Sequence, residues 1–536
     1  MLKETWKEWK LGKCDGPWKV FQGPNGELCS EVPYQRWLPT VRFPVVQDKS
    51  NSSYDVRPID NCQKSGLSTA TAVQEKMRMS SLQALLKVAK WCNMIFGRWG
   101  KPGEPRVSKG DHKKAFRTWA TAPEDAHLLI TWVWDALVGE GGGFLAFGHR
   151  ALPFGSLASV WAYTWVSQAV CLILGRLFAC PQLAYMDDFL RVVPMVFAPL
   201  MQFVFKKVHE LIGIPLKDDK GEGPAQILEA LGHALATTAL WAGLRLTCRR
   251  RAKLKEEIEI ILRAAEQGLT QKKSGELGGQ LTFAASALYG RVGRAFAAVL
   301  ARHRGGWTAE LQWALEWWRA LLELPLYSWV RHGKAKVRAV AWVDGSWEML
   351  LATGAVGGLL FISNRGPVAF SAVVPKWLCD ELASVGKMQR NTQVELLAIV
   401  VLLLSCGEML HDVDLIVYED NQAAMANVLT GAAGEDQSRH LVASIWMLTA
   451  AVRARLWLEY VRTDLNPGDC FSRPEEQEKL ELMEAIVQYY NVTMLEAVFP
   501  PSMFLGAQSW ADSIGRHVSG DFPRGRKQAA EVAASL

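Results

Sequence analysis

Two adjacent acids set between two short apolar runs constrain this chain more than any other stretch. In CPQLAYMDDFLRVV, residues 180–193, Leu183 to Tyr185 read as one strand and Phe189 to Val193 as its partner, which leaves Met186, Asp187 and Asp188 at the turn of a tight hairpin. Neighbouring carboxylates repel unless a cation offsets them. An Asp pair held at a hairpin tip against an apolar sheet therefore points to a divalent-metal site. An ordinary polar turn is the competing explanation, and the surrounding sequence has to decide between the two.

Asp111 stands beside Gly110 in VSKGDHKKAFRTW, 76 residues before Asp187, and Phe116 follows it five residues later. An acid at a strand end can face the hairpin carboxylates once the strands pair. Three carboxylates around two cations about 3.5–4 Å apart form a clamp for in-line phosphoryl displacement. The intervening GGGFLAFGHRALPFGSLASVWAYTWVSQAV supplies a Gly-rich strand and turn and then a buried helix, which an α+β domain needs between those acids. Upstream, VRFPVVQ and YDVRPIDNCQKSGLS read as two strands and a turn, with Arg57 and Asp60 as the polar residues most suited to a role. A helix from about Ser80 to Gly97 places Leu82, Leu85, Leu86, Val88, Ala89 and Trp91 on its apolar side. Residues 1–40 show no periodicity and read as an irregular extension.

The segment from Arg249 to Pro325 is helical in pattern, and Thr308 is an N-cap candidate for WTAELQWALEWWRALLEL. Gly290 and Gly293, interleaved with Arg291 and Arg294, would let a helix approach either a phosphate backbone or another helix closely. Beyond the basic stretch at 332–338, VRAVAWVDGSW and ATGAVGGLLFI are strands, with Asp344 at the end of the first. Glu395 opens an apolar helix, Asp420 ends the strand DLIVYED, and Asp469 lies in the turn NPGDCFSR. One acid from each of four elements in a strand-helix-strand alternation has the arrangement of a second two-metal, phosphodiester-cleaving site, although solvation alone also puts acids at element edges.

A length of 536 residues exceeds one core, so two or three domains are expected. The net charge of +6 is mild, but the basic residues cluster in KGDHKK, CRRRAK and RGRK, which allows a polyanionic partner without requiring one. Ten cysteines without a CxxC pair suggest neither a zinc site nor a disulfide framework, and a reducing compartment fits. The start MLKETWKEWKLGK has no secretion signal, so an intracellular location, cytoplasm or nucleus, is expected. The longest apolar runs, around 156–174 and 192–205, read as buried helices, and no membrane partner is expected.

Taken in order, RPIDN, DHKKAF, LPFGS, YMDD, GIPLKDDK and ILEALGH resemble the successive motifs of a reverse transcriptase, most similar to those of DIRS-like and LTR retrotransposons, over residues 41–325. DGS, ELLAI, EDNQAA and NPGDCFSR resemble the RNase H domain that follows the polymerase in such elements, over 337–475. The resemblance implies an α+β fold: a right-hand polymerase with fingers and palm at 41–248 and a helical thumb at 249–325, then an α/β RNase H-like domain. Residues 1–40 would be an N-terminal extension and 476–536 a C-terminal helix and basic tail.

The same resemblance implies that Asp111, Asp187 and Asp188 hold catalytic metals and that Phe116 lies beneath the sugar of the incoming nucleotide. Arg57 would meet the triphosphate, Lys220 would serve near the pyrophosphate as a proton donor, and Phe154 and Gly155 would flank nucleotide and template. Leu231 and Gly232 would belong to a hairpin that grips the primer end. Asp344, Glu395, Asp420 and Asp469 would form the nuclease site. The implied cofactor is Mg²⁺ or Mn²⁺, two ions per site. The implied partners are an RNA or DNA template-primer, RNA-DNA hybrid and dNTPs, with the protein a monomer. His112 and Lys114 depart from the family, which has an apolar residue and a second acid there, and the extra His of some RNases H has no counterpart. A domesticated or decayed copy that binds nucleic acid without turnover stays open as an alternative. An RNA-dependent RNA polymerase would share the palm acids, but Phe116 and the appended second site count against it.

Overall fold

The hairpin forms, with a shift of one residue. Gln182–Tyr185 and Asp188–Pro194 pair antiparallel through a two-residue turn, Met186 and Asp187, and Met186 takes a left-handed φ of 54°. Asp188, expected in the turn, is the first residue of the second strand, where pairing on both sides claims it. It lies opposite Tyr185 in one neighbour and opposite Asp111 in the other, because Pro105–Asp111 pairs antiparallel with Asp188–Pro194. The computed structural model describes residues 1–23, 26–48, 54–72, 80–98, 104–138, 142–217, 223–239, 241–324, 327–332, 337–383 and 390–500. The fold is mixed α/β and divides into two compact units, Met1–Leu228 and Glu229–Leu536.

In the first unit the three-stranded sheet of Asp111 and the hairpin packs on two helices. Leu157–Phe178 and Ala198–Leu211 bring Val170, Leu174, Phe205 and Val208 against Phe189 and Val193. Leu157–Phe178 is long and apolar enough by itself to cross a membrane, yet a stripe from Ser159 through Tyr163 and Ser167 to Leu174 is buried within the protein. The helix Gln83–Arg98 buries Leu85, Leu86, Ala89 and Cys92, which share one face. Trp91, expected on that face, falls off the stripe and is 52% exposed.

Residues 1–40 are not irregular. Leu2–Lys10 is a helix, and Cys14–Gln22 and Leu28–Ser30 are strands of a six-stranded sheet that continues through Gly143–His149, Ile130–Asp135, Pro39–Asp48 and Tyr54–Asp60. The helix is too short for periodicity to reveal it. Tertiary packing holds it, through Leu2 and Trp6 against Cys14, Leu145 and Phe147.

The boundary between the units falls within the first strand of a sheet of Ile227–Ala230, His233–Thr237, Trp241–Leu246 and Ser328–Arg331. Leu231 and Gly232 form its first turn, both with positive φ, 55° and 75°, as a two-residue hairpin demands. Four helices follow, Cys248–Arg263, Gln271–Ala284, Arg294–Arg302 and Ala309–Leu321. Thr308 caps the last of them, its hydroxyl accepting from Leu311 N at 3.1 Å. Gly290 and Gly293 lie in a turn, not a helix, with φ of 59° and 84°. A Cβ on either would strike a tryptophan ring, Trp446 at 2.5 Å or Trp318 at 2.6 Å. The close approach that these glycines permit is to those rings, not to a phosphate backbone, and Arg294 beside them is exposed.

The larger sheet of the second unit runs Arg455–Tyr460, Asp414–Glu419, Arg338–Glu348, Thr353–Ile362, Val368–Val373 and Thr493–Met494. Its first three strands are mutually parallel, and Thr353–Ile362 is antiparallel to both of its long neighbours. The apolar helix Asn391–Ser405, buried from Gln393 to Leu403, packs on Arg338–Glu348.

One buried charge cluster ties the first unit together. Arg42 reaches Asp60 through Nε at 2.8 Å and Nη2 at 3.1 Å, and Asp60 also accepts from Thr131 Oγ1 at 2.8 Å and from His149 Nε2 at 3.0 Å. Burial alone would raise the Asp60 pKa, but the Arg42 charge and then His149 outweigh it, so the carboxyl lies well below the ordinary carboxylate range. Both side chains of the pair are 1% exposed. Removing one partner leaves the other charge buried without compensation. Asp60→Asn is therefore expected to destabilise the protein by about 3–5 kcal/mol in denaturant unfolding, against roughly 1 kcal/mol or less for an exposed pair such as Lys207–Glu210.

Candidate active sites

Strand register places the first set of acids. Asp111 and Asp188 are direct cross-strand partners, and Asp187 projects from the turn beside them, its backbone oxygen accepting from His112 N at 3.3 Å. Gly110 must lack a side chain because the Phe205 ring would lie 2.6 Å from a Cβ. The acids sit on the floor of a cavity of about 830 Å³, which Arg57, Lys109, Lys114 and Phe154 also line. Phe154 is aimed there by Gly155, whose φ is +105° and whose Cβ would meet Asp60 O at 2.0 Å, so the loop lies flat on the strand that carries Arg57. Phe116 is half-buried between Phe154 and Tyr163, with ring centroids at 5.3 and 5.0 Å.

Lys217 Nζ stands 2.7 Å from Asp111 Oδ2. Burial first, and then the charges of Asp111 and Asp188, push Asp187 up to about 6 despite Lys217. Lys220 lies outside the described residues.

His112, polar where the resembling family is apolar, is buried and satisfied. His209 Nδ1 donates to Phe205 O at 2.7 Å, and its Nε2 lies 2.9 Å from His112 Nε2. His112 Nδ1 in turn meets the Tyr163 hydroxyl. One assignment satisfies the whole chain: Tyr163 donates to His112, His112 to His209 and His209 to the backbone, with both rings neutral. Burial drives both histidines down, His112 to about 3 and His209 to about 4, in keeping with neutral rings.

In the second unit the parallel register pairs Trp342 with Tyr418 and so carries Asp344, inside its strand rather than at its end, toward Asp420. Glu395 arrives from the helix that packs across that strand. Gly345 makes the approach possible, since a Cβ there would stand 2.5 Å from Val394 C, and Gly345 N donates to Glu395 Oε2 at 2.8 Å. One carboxylate oxygen from each of Asp344, Glu395 and Asp420 lies within 4.8 Å of the other two, the one such acidic group found among the described residues.

The turn NPGDCFSR is tied to the same strand, Asn466 Nδ2 donating to Val343 O at 3.0 Å. It brings Ser472 Oγ onto Asp344 and leaves Asp469 paired with Arg473 at 2.5 Å and with Lys479, outside the closest trio. Glu419, fully buried next to Asp420, carried no sequence signal beyond being an acid at a strand end. Burial first, and then the neighbouring acids, raises the pKa values of Glu395 and Glu419 well above the ordinary carboxylate range.

An all-carboxylate donor set suits hard cations such as Mg²⁺ or Mn²⁺. The crowding of Asp344, Glu395 and Asp420, the first two of them buried, fits such an ion. At Asp111, Asp187 and Asp188 the same donors are present, with the Lys217 ammonium already among them.

No protein-family model and no curated protein matches the chain. Among the solved structures similar to it are three viral ones. They are foamy viral protease-reverse transcriptases, one described as dRH and bound to double-stranded DNA (14% identity, TM-score 0.41, covering 85% of this chain and 68% of that one), and one bound to double-stranded DNA (13%, 0.40, 86% and 82%). A third, bound to an RNA/DNA hybrid, has 13% identity and a TM-score of 0.41. It is matched over 83% of this chain, which spans about half of it, 51%.

Burial, with further help from Asp420 and Asp469, raises Asp344 to about 6 from an ordinary 3.8, so its contribution to stability is fully present below about pH 4 and is lost as pH rises through 6. Glu395 and Glu419, also raised, act in the same direction at higher pH. In a chelator the melting temperature is expected to fall by several degrees between pH 5.5 and 8.5, at roughly 2–4 °C per kcal/mol. Mg²⁺ should restore most of that loss, and Glu419→Gln should flatten the slope. A melting temperature independent of pH in chelator would contradict this account of the cluster.

Proposed function

We propose that the chain is a retrotransposon reverse transcriptase, a DNA polymerase that copies RNA or DNA templates and also cuts the RNA strand of RNA-DNA hybrids. The observation that carries this reading is the convergence of Asp111, Asp187 and Asp188 on the floor of a cavity rimmed by basic side chains. In this reading residues 41–248 are fingers and palm, 249–325 a thumb and 337–475 an RNase H-like domain.

Asp111, Asp187 and Asp188 would hold two divalent cations, Mg²⁺ or Mn²⁺, and Asp344, Glu395, Asp420 and Asp469 two more. When bound, such ions neutralise the charge that builds up on phosphoryl oxygens. Lys217 balances the Asp111 charge until nucleotide and metal arrive. Arg57 receives the triphosphate, while Phe154 and Gly155 flank the base and template. Phe116 backs the sugar, and Tyr163, held by His112, backs Phe116. Arg473 and Lys479 hold Asp469 ready at the edge of the second site. Most of the rate comes from positioning and from charge placed in advance. Template-primer, RNA-DNA hybrid and dNTPs are the partners, and the protein acts as a monomer inside the cell.

Primer extension on poly(rA)·oligo(dT) with Mg²⁺ or Mn²⁺ tests the reading. Asp187→Asn is expected to abolish extension while template-primer binding persists, and extension at the wild-type rate by that variant would sink the assignment. Asp420→Asn should stop hybrid cleavage and leave extension nearly intact. Loss of both activities in a folded Asp420→Asn protein would mean the two sites are not separate. Phe116→Val is expected to raise ribonucleotide over deoxynucleotide incorporation at least about tenfold, roughly 1.4 kcal/mol in transition-state free energy. An unchanged ratio in single-nucleotide insertion, together with a lowered melting temperature, would make the ring a packing residue only.

A further inference from the structure

The cavity over Asp111, Asp187 and Asp188 has a wall made by the first helix. Glu4, Lys7, Glu8 and Leu11 line it, and Lys13 extends the wall toward Cys14–Gln22. None of these residues belongs to a recognisable motif.

The helix is fastened. Glu8 Oε2 accepts from Arg42 Nη1 and from Arg117 Nη2, both at 2.9 Å, and the two guanidiniums are 1% and 3% exposed. Thr5 Oγ1 accepts from Arg42 Nη1 at 3.2 Å, and Trp6 meets Phe147 edge-on at 5.8 Å. A carboxylate bridging two buried cations cannot swing away without leaving both unpaired, which is costly. Arg117 belongs to the turn Ala115–Thr118 that also carries Phe116, so Glu8 ties the helix to the segment that follows Asp111.

The wall also carries charge. The Glu8 charge is consumed by its two arginines, and Lys7 pairs with Glu4 at 2.5 Å while remaining 57% exposed. An exposed pair of this kind is worth little and yields readily to a better anion. Carboxylates on the floor and ammonium groups on the wall complement a ligand whose polyphosphate bridges cations below and lysines beside it.

We propose that Leu2–Lys10 is a wall of the nucleotide site, that Lys7 and Lys13 bind the polyphosphate of the incoming nucleoside triphosphate, and that Glu8 positions the helix. The inference rests on the polymerase reading of Asp111, Asp187 and Asp188. Steady-state extension of poly(rA)·oligo(dT) by the full chain tests it. The double variant Lys7→Ala/Lys13→Ala should raise KM for dTTP about tenfold, with kcat within about twofold and template-primer Kd unchanged. Lys7→Arg/Lys13→Arg should recover most of the loss. Glu8→Gln should raise KM as well, but its melting temperature will fall with it, so the two lysines carry the decision.

If the wild-type protein extends primers and the double alanine variant keeps the wild-type KM, this proposal is overturned and the functional reading stands. A rise in template-primer Kd in place of KM overturns it too, since the helix would then contact nucleic acid. If the wild-type protein extends nothing, the functional reading falls. Titration calorimetry with Mg·dTTP then decides the proposal, which survives only if the wild type binds and the double alanine variant does not.

Discussion

Carboxylates held close together away from water repel one another, and each unit spends stability to keep such a group. In the first unit the cost is partly met by Lys217 against Asp111, and the remainder shows as an Asp187 pKa raised to about 6. In the second unit Asp344, Glu395, Asp420 and Glu419 crowd together, and burial with mutual repulsion raises Asp344, Glu395 and Glu419 above the ordinary carboxylate range. A sequence free to optimise stability would replace one of these acids, since buried charge without a partner is among the most expensive features a core can carry. Their retention is the physical argument for a site in each unit.

What holds the repelling groups in place is close packing at residues without side chains. Gly345 lets the Glu395 helix press on the Asp344 strand. Gly357 does the same for the turn of Asp469, where a Cβ would stand 2.3 Å from Phe471 C. Gly155 seats the Phe154 loop on Asp60, and Gly110 admits Phe205 beneath Asp111. In each case an acid or an aromatic is delivered by an element that could not come near if its neighbour had even a methyl group.

The acids could be picked out because they fall in short motifs in a fixed order, and two of the packing glycines, Gly110 and Gly345, stand directly beside an acid, Asp111 and Asp344. The Asp187 hairpin, the Thr308 cap and the strands of Asp344 and Asp420 follow from local periodicity and capping chemistry. The features that were not legible are those built from residues far apart in sequence. Arg42 and Asp60 are 18 residues apart and His149 joins them from a third strand, and nothing local marks Arg42 as buried. His112 reads as a polar intrusion until His209, 97 residues later, accepts its proton. The helix Leu2–Lys10 is two and a half turns long and amphipathic in a way that many exposed segments are, so only its contacts with Phe147 and Arg117 distinguish it.

The two sites differ in how their negative charge is balanced, and that difference fits different work. At Asp111, among the described residues, a balancing cation is the Lys217 ammonium, a quarter exposed, on the loop that follows Ile214. Such a group is displaced at small cost when a stronger cation comes with its ligand, and it returns when that ligand leaves. At Asp344 burial and the neighbouring acids push Glu395 and Glu419 up, and Asp469, the fourth acid, is paired with Arg473 and Lys479. For Asp469 to help hold a cation with the trio, it would have to leave those basic partners. Under the proposed function, the first arrangement fits a site that would load and empty once per nucleotide. In the second, the pairing of Asp469 with Arg473 and Lys479 leaves the fourth acid to be released by an extended substrate whose phosphates would draw those two cations away.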